Sequence, residues 1–126
     1  MTESQELLDQ AREAAAQSYS PYSAFRVGAV VVTADGEIFS GANVENAAYG
    51  SSVCAEANAI TTAIGSGARA ISTVAVVCLD GEECFPCGNC LQLMREFGVE
   101  RVINDKHEFT FDELLPESFG PEALLD

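Results

Sequence analysis

The sequence predicts a single α/β domain. Apolar, β-branched segments of strand length alternate along the chain with segments whose apolar residues recur at helical spacing. Hydrophobic residues make up 48% of the 126 residues, which is enough for a packed core. No internal repeat, linker or low-complexity segment divides the chain, so we expect residues 1–126 to form one domain.

The first part of the chain predicts a helix followed by a β-hairpin. Apolar residues recur at helical spacing through residues 4–18, and Thr2 with Gln5 has the pattern of a capping box. Residues 25–33 are apolar and β-branched, which is typical of a buried strand. An Asp-Gly turn follows it, so residues 37–44 should return as the antiparallel partner.

The second part predicts two more helices and three more strands. Residues 54–64 are apolar on most sides, which is typical of a buried helix. Residues 71–79 are nearly continuous in Val and Ala, as expected for a strand covered on both faces. The next helix should begin near Cys87. The shorter elements are two strands, residues 99–103 and 108–111, and a helical turn, residues 112–115.

The charge of the chain excludes some partners. The net charge is −14, and the chain has only six Lys and Arg residues to meet phosphate groups, so a nucleic-acid partner is not expected. No apolar run has the length of a membrane span, and the first residues lack a basic targeting region, so we expect a cytoplasmic protein without a membrane partner. The acidic surface would suit a high-salt cytoplasm, and it fits an ordinary acidic protein equally well.

Cysteines and one carboxylate form the constellation with recognisable chemistry. Cys54 is followed two residues later by Glu56, and Cys87 and Cys90 form a Pro-Cys-x-x-Cys unit. Three thiolates and a carboxylate that is not a ligand are the parts of a catalytic zinc site, in which water takes the fourth tetrahedral position. Five cysteines in a protein expected to be cytoplasmic indicate metal ligands or buried thiols rather than disulfides.

The spacing of these residues makes a geometric prediction. Cys87 and Cys90 should share one face of the first turn of a helix. Residues two apart do not share a helix face, so Cys54 must lie at the N-cap, with Glu56 folding back over the helix end. Two helix N-termini would then stabilise the thiolates, and Glu56 would move protons to and from a bound water.

A closed metal site is the alternative. Cys84 is the natural fourth ligand for a structural zinc site, and Cys84, Cys87 and Cys90 also have spacing found in iron–sulfur proteins. Either alternative leaves Glu56 without a role. Cys78 lies in an apolar strand and is most simply a core residue.

Five segments of the sequence together carry a family resemblance, and these are SPYSAFRVGA, NVENAAYG, VCAE, PCGNC and ELLPESF. In these segments the chain resembles the small, homotetrameric cytidine deaminases of the three-cysteine zinc type. The resemblance implies a three-layer αβα sandwich around a mixed five-stranded sheet, with one zinc ion per subunit. It also implies hydrolytic deamination of cytidine or deoxycytidine to uridine or deoxyuridine in pyrimidine salvage, with release of ammonia.

The resemblance also assigns roles to individual residues. Glu56 is similar to the proton shuttle of the family, and activated water would attack ring carbon C4 of the pyrimidine. Phe119 is similar to an aromatic residue that reaches a neighbouring subunit's site, which would explain a C-terminal segment that could be ordered only by contact with something else. The zinc ligands would be Cys54, Cys87 and Cys90, and the other substrate contacts would be Phe25 with the base, the Ala55 N–H with the base carbonyl, and Asn43 and Glu45 with the ribose.

Two positions depart from many three-cysteine members of that family. Ala57 and Leu91 stand where those members have Arg, one of which neutralises the thiolates. This would leave the extra negative charge to helix ends and backbone N–H groups, and slower turnover, another charge donor and a different substrate are the alternatives. One further hypothesis is that Asn58 and Gln92 donate hydrogen bonds to sulfur.

Three functional hypotheses follow from the sequence. The leading one is a zinc-dependent cytidine deaminase. A second is a deaminase of a modified or antibiotic cytosine nucleoside, because Ala57 is similar to the residue of the blasticidin-type branch. A third, without enzymatic activity, is a binding or assembly protein stabilised by a closed zinc site.

Overall fold

The computed structural model describes residues 2–125, which form a five-stranded mixed sheet with helices on both faces. The helices are α1 (Glu3–Ala15), α2 (Ala55–Gly65), α3 (Gly88–Glu96) and α4 (Phe111–Leu114), and the strands are β1 (Val27–Thr33), β2 (Ile38–Ala42), β3 (Ile71–Cys78), β4 (Arg101–Ile103) and β5 (Glu108–Thr110). Short 3-10 turns lie at Tyr49–Ser51 and Pro121–Ala123. Among the described residues, no helix is both long enough and apolar enough to cross a bilayer.

The strands lie in the order β2-β1-β3-β4-β5. Strand β1 pairs antiparallel with β2 and with β3, β3 pairs parallel with β4, and β4 pairs antiparallel with β5. The predicted hairpin is confirmed, and Gly36 in its turn has φ of 91°, a conformation that glycine adopts without steric cost. The predicted strands are all present, and each is shorter at one end or both than the predicted range.

The two faces of the sheet build separate cores, because successive side chains of a strand point to opposite faces. Val31 of β1 packs with α2 and α3, whereas its neighbour Val30 packs with α1. In β3, Val74 and Ala75 divide between the same two cores. The result is helix, sheet and helix in three layers, so the predicted αβα fold class is confirmed.

Helix α1 begins as the sequence predicts. The Thr2 hydroxyl accepts a hydrogen bond from the Gln5 backbone N–H at 3.1 Å, and the Gln5 side chain accepts one from the Thr2 N–H at 2.9 Å. This capping box satisfies two donors at the helix start. The apolar side of α1, which includes Leu7 and Ala11, then packs on the sheet.

The C-terminal segment packs on α3 of its own chain, which corrects the expectation that it could be ordered only by another molecule. The Gln92 side-chain amide donates to the backbone carbonyl of Phe119 at 2.9 Å. Arg95 donates to the Ser118 hydroxyl at 3.0 Å and forms an ion pair with Glu122. Polar side chains of α3, which the apolar pattern of this helix does not reveal, therefore hold the segment in place.

Candidate active site

Two cysteines occupy helix N-caps on the same face of the sheet. Cys54 precedes α2 with φ −69° and ψ 154°, and Cys87 precedes α3 with φ −75° and ψ 169°. Both backbones are extended, as N-cap residues require. Cys90 lies one turn into α3 and is fully buried. The predicted position of Cys54 at the very start of its helix is confirmed.

The three cysteine sulfurs form a cluster of the size that zinc requires. All three Sγ atoms lie within 4.8 Å of one another, and those of Cys54 and Cys87 are 3.9 Å apart. Tetrahedral zinc with Zn–S bonds of about 2.3 Å places its sulfurs about 3.8 Å apart. Cys84 does not belong to the cluster, and no fourth His, Cys, Asp or Glu ligand joins it within residues 2–125. The donor set therefore fits a zinc site with three protein ligands.

The three thiols differ in electrostatic surroundings. Burial and the neighbouring Cys87 sulfur raise the pKa of Cys54, and burial together with the Glu56 carboxylate raises the pKa of Cys90. Burial would also raise the pKa of Cys87, but hydrogen bonds from Cys90 and from the backbone of Asn89 lower it overall. The N-terminus of α3 thus stabilises one thiolate directly.

The two positions that depart from the family pattern lie in the apolar core. Ala57 of α2 and Leu91 of α3 are buried and belong to the same core. The hypothesis that Asn58 and Gln92 donate to sulfur is wrong. The Asn58 side-chain amide donates to the Ala42 carbonyl at 3.1 Å, and that of Gln92 donates to the Phe119 carbonyl in the C-terminal segment. Of the two sources of compensation considered for the thiolate charge, side-chain amides and backbone N–H groups at the helix starts, only the second is supported by the structure of residues 2–125.

Glu56 lies in the first turn of α2 and is only 5% exposed. Burial raises the pKa of its carboxyl group, while a hydrogen bond from its own backbone N–H acts in the opposite direction. A carboxyl group in such surroundings accepts a proton more readily than one in water. Its position beside two thiols is therefore suited to proton transfer.

Glu56 faces a cavity of about 200 Å³ that most of the predicted site residues share. Phe25 lines this cavity, and the residue is 37% exposed. Cys90 is buried and does not line this cavity, and neither Glu45 nor Phe119 lines it. The predicted residues that line it are Phe25, Asn43, Cys54, Ala55, Glu56 and Cys87, and the lining residues not expected from the sequence are Val27, Val76, Cys84 and Phe85.

A larger cavity of about 610 Å³ shares Asn43 and Cys54 with the first, and Glu45 lines it. The Glu45 carboxylate accepts hydrogen bonds from the backbone N–H of Tyr22 at 3.0 Å and of Ser23 at 3.1 Å, and from the Ser23 hydroxyl. The hydroxyl contributes most to lowering the pKa of Glu45. The segment SPYSAF therefore fixes an ionised carboxylate at this cavity, a role that its sequence alone did not assign to Ser23.

Asn43 is engaged mainly by the protein itself. Its Oδ1 accepts from the Val27 N–H at 2.9 Å and from the Ser18 hydroxyl at 2.5 Å, and its Nδ2 donates to the Phe25 carbonyl at 2.9 Å. The residue thus ties the start of β1 to the cavity wall. One Nδ2 hydrogen is left for a ligand.

Phe119 is 61% exposed and lines neither of these two cavities of its own chain. Its backbone carbonyl accepts a hydrogen bond from Gln92 of α3, and the residue as a whole remains largely exposed to solvent. This arrangement leaves its predicted role, at a neighbouring subunit's site, open to test.

The chain is similar to known deaminases over nearly its whole length. A family model described as the cytidine and deoxycytidylate deaminase zinc-binding region matches residues 1–105. A cytidine deaminase of Halalkalibacterium halodurans is 38% identical over 129 residues, covering 97% of this chain and 98% of the relative. A cytidine deaminase of Sporosarcina psychrophila is 36% identical over 127 residues, covering 95% of this chain and 93% of the relative.

Solved structures agree with these sequence matches. The crystal structure of cytidine deaminase from Burkholderia pseudomallei superposes with a TM-score of 0.85 at 39% identity, covering 94% of this chain and all (100%) of that one. The corresponding enzyme of Mycobacterium tuberculosis superposes with a TM-score of 0.86 at 32% identity, covering 95% and 99% of the two chains. The fold, the cysteine cluster and the matched sequence together show that the chain belongs to the cytidine and deoxycytidylate deaminase family.

Proposed function

We propose that this chain is a single-domain, zinc-dependent hydrolase that converts cytidine or deoxycytidine to uridine or deoxyuridine and ammonia. The observation that carries the proposal is the buried Glu56 carboxyl group, which shares a cavity with Cys54 and Cys87 of a three-thiol cluster. A structural zinc site would need neither a fourth position free of protein ligands nor a buried acid beside it.

Cys54, Cys87 and Cys90 would hold the zinc ion. When bound there, zinc supplies a Lewis acid that lowers the pKa of a water molecule in its remaining position. The protein contributes the geometry, because two N-caps and one first-turn residue fix the three sulfurs before metal binds.

Glu56 would act as the proton shuttle. Its carboxylate takes a proton from the attacking water and delivers it to the ring nitrogen next to C4. A second proton then goes to the exocyclic amine, which leaves as ammonia when the C4–N bond breaks. Water thus supplies the new oxygen at C4 and the two transferred protons. Because burial raises the pKa of Glu56, its carboxyl group can hold the proton between its removal from water and its delivery to the substrate.

Residues around the cavity would orient the substrate. The Phe25 ring forms an apolar wall against which a pyrimidine can pack. Ala55 is the first residue of α2, so its backbone N–H has no partner within the helix and can donate to the base carbonyl. Glu45 would accept hydrogen bonds from ribose hydroxyls, while Asn43 shapes the cavity and offers its one remaining hydrogen.

The charge around the larger cavity favours a nucleoside over a nucleotide. Neither Lys nor Arg lines this cavity among the described residues, and Glu45 contributes a carboxylate there. A phosphate group on the sugar would meet this carboxylate without a compensating cation. We therefore assign the unphosphorylated nucleoside as the substrate of this member of the family.

We also propose that the protein is a homotetramer of the cytoplasm, with a role in pyrimidine salvage. Large apolar side chains are exposed around the larger cavity, including Tyr22, Tyr49 and Val53, and Phe119 is exposed on the tail. The ligand role of the cysteines requires reduced thiols, which a cytoplasm maintains. Light scattering of the zinc-loaded protein would test the assembly, because a monomer or dimer would contradict it.

The proposed activity can be tested by the fall in ultraviolet absorbance when cytidine becomes uridine. We expect turnover of cytidine by the wild type, and at least a hundredfold lower kcat, roughly, for Glu56→Ala and Glu56→Gln. Both variants should keep their zinc, since Glu56 is not a ligand. The matched control is Glu100→Gln, which changes an exposed carboxylate and should leave kcat unchanged. Full activity in either Glu56 variant would refute the assigned role.

A further inference from the structure

Asn104 is a buried polar residue whose hydrogen bonds are all used. It is 3% exposed and follows β4 in the turn that leads to β5. Its Nδ2 donates to the Glu83 carboxylate at 2.9 Å and to the Cys84 carbonyl at 3.0 Å, and its Oδ1 accepts from the backbone N–H of Lys106 at 3.0 Å and of His107 at 2.8 Å. A side-chain amide has two donors and an oxygen that accepts two bonds, so this set is complete.

The orientation of this amide is fixed by its partners. Turning the amide over would place its N–H groups against two backbone N–H groups, and its oxygen against a carboxylate and a carbonyl. Both contacts would be repulsive, and burial would deny them water. Asn104 is therefore a rigid link between the β4–β5 turn and the segment that contains Glu83 and Cys84.

That segment, residues 80–86, connects β3 to the N-cap residue Cys87, and we refer to it as the cavity loop. Two of its side chains, Cys84 and Phe85, line the cavity that contains Glu56. Its first residue, Asp80, is held separately by Arg26, so Asn104 secures the half that faces the cavity.

Other contacts between the cavity loop and the β4–β5 hairpin support this attachment. The Glu83 carboxylate lies 2.6 Å from Nδ1 of His107. The Phe85 ring packs at a tilt against that of Phe109, with centroids 6.0 Å apart. These contacts are more exposed to solvent than Asn104. Because Asn104 is buried, its hydrogen bonds are shielded from water, and we expect them to contribute most to holding the cavity loop.

We propose that Asn104 is a positioning residue for the deaminase site: by holding Glu83 and the Cys84 carbonyl, it keeps the cavity wall formed by Cys84 and Phe85 against the bound base. The proposal rests on the proposed function for its effect on substrate, although the loop attachment itself can be measured without substrate. Asn104 does not touch the cavity, so it acts through the loop alone.

Replacement of Asn104 by Ala should loosen the loop while leaving the metal cluster in place. Two hydrogen bonds hold the loop, and the one to the Glu83 carboxylate is charge-assisted, so their loss should raise the open population of the loop by at least roughly fivefold. Labelling of the half-buried Cys84 thiol by N-ethylmaleimide in the zinc-loaded protein should accelerate by at least about fivefold, as followed by mass spectrometry. KM for cytidine should rise at least about threefold, with kcat changed by less than about threefold and zinc content unchanged.

Three further variants separate positioning from a general loss of stability. Leu7→Ala creates a cavity under α1 on the opposite face of the sheet, so it should lower Tm without changing KM or Cys84 labelling. Asn104→Asp places a second carboxylate beside Glu83. Adding Glu83→Gln supplies a side-chain amide that can donate to this carboxylate, so the hydrogen bond is restored with donor and acceptor exchanged. We expect the double variant to recover part of the KM and labelling change of Asn104→Asp.

The outcomes are distinct. Wild-type KM and labelling in Asn104→Ala, or equal changes in Leu7→Ala, would overturn the proposal. Loss of kcat at unchanged KM would also overturn it, because Asn104 would then act on the chemistry rather than on the wall. A wild type that leaves cytidine untouched would refute the proposed function, while the labelling rates would still decide whether Asn104 holds the loop.

Discussion

Gly41 is a point of close approach between the sheet and α2, the helix that begins after Cys54 and contains Glu56. It lies in β2, opposite Ala29 of β1. A Cβ atom added at Gly41 would lie 2.6 Å from the backbone nitrogen of Ala59 and 3.0 Å from the carbonyl oxygen of Ala55. Both atoms belong to the backbone of α2, so no side chain can turn aside to make room.

The size of the effect follows from these distances. Ordinary carbon contacts need about 3.5 Å, so Gly41→Ala must push α2 away from the sheet by roughly 0.5–1 Å. Overpacking of this kind costs about 1–3 kcal/mol of the free energy of unfolding. The shift also moves Cys54 and Glu56 relative to Cys87 on α3. Since a displacement of about 1 Å can cost a hundredfold in rate, we expect kcat to fall by roughly ten- to a hundredfold.

The assay measures Tm, zinc per chain and kcat on the same preparation at a temperature where each variant is folded. The control is Val30→Ala, which removes buried volume on the α1 face and should lower stability by a similar amount. We expect this control to keep its kcat. The reasoning would be refuted if Gly41→Ala retained wild-type kcat, or if Val30→Ala lost as much kcat as Gly41→Ala.

Two further predictions concern the metal cluster and the tail. Cys87→Ala should lose zinc and have a lower Tm, because the metal bound by this thiolate joins the starts of two helices; atomic absorption measures the zinc and calorimetry the Tm. Cys78→Ala should keep its zinc, since Cys78 lies outside the cluster. Unchanged zinc content in Cys87→Ala would contradict the ligand set. If the Phe119 ring reaches the site of a neighbouring subunit, Phe119→Ala should raise KM for cytidine. The control is Leu124→Ala, which removes another exposed apolar side chain of the C-terminal segment and should leave KM unchanged. Equal KM values in the two variants would argue against a contact between Phe119 and a neighbouring site.

Local signals explain why so much of the fold could be predicted. The apolar run of β3 is buried on both faces, as its composition indicated, and the capping box at Thr2 begins α1 where the pattern placed it. The N-cap position of Cys54 also followed from spacing, because a helix interior could not bring Cys54 and Glu56 to one site. Each of these inferences used residues only a few positions apart.

Long-range hydrogen bonds explain what could not be predicted. Asn104 looks like an ordinary turn residue in the sequence, yet its partners Glu83 and Cys84 lie some twenty positions earlier. The tail offered no local sign that Gln92 and Arg95 would hold it. Side-chain amides and guanidinium groups bind wherever the fold places an acceptor, so their partners become visible only when the fold is known.

The residues that stand in place of the expected arginines are apolar and buried. Ala57 of α2 and Leu91 of α3 belong to the same apolar core, so neither side chain supplies a charge to the cysteine cluster. The Cys87 thiolate is instead stabilised by backbone donors at the start of α3, including Asn89. Backbone donors carry no net charge, so a zinc ion bound by these three thiolates would retain more negative charge than one beside an arginine. Under the proposed function, proton transfer would then depend more strongly on Glu56, because burial raises the pKa of its carboxyl group.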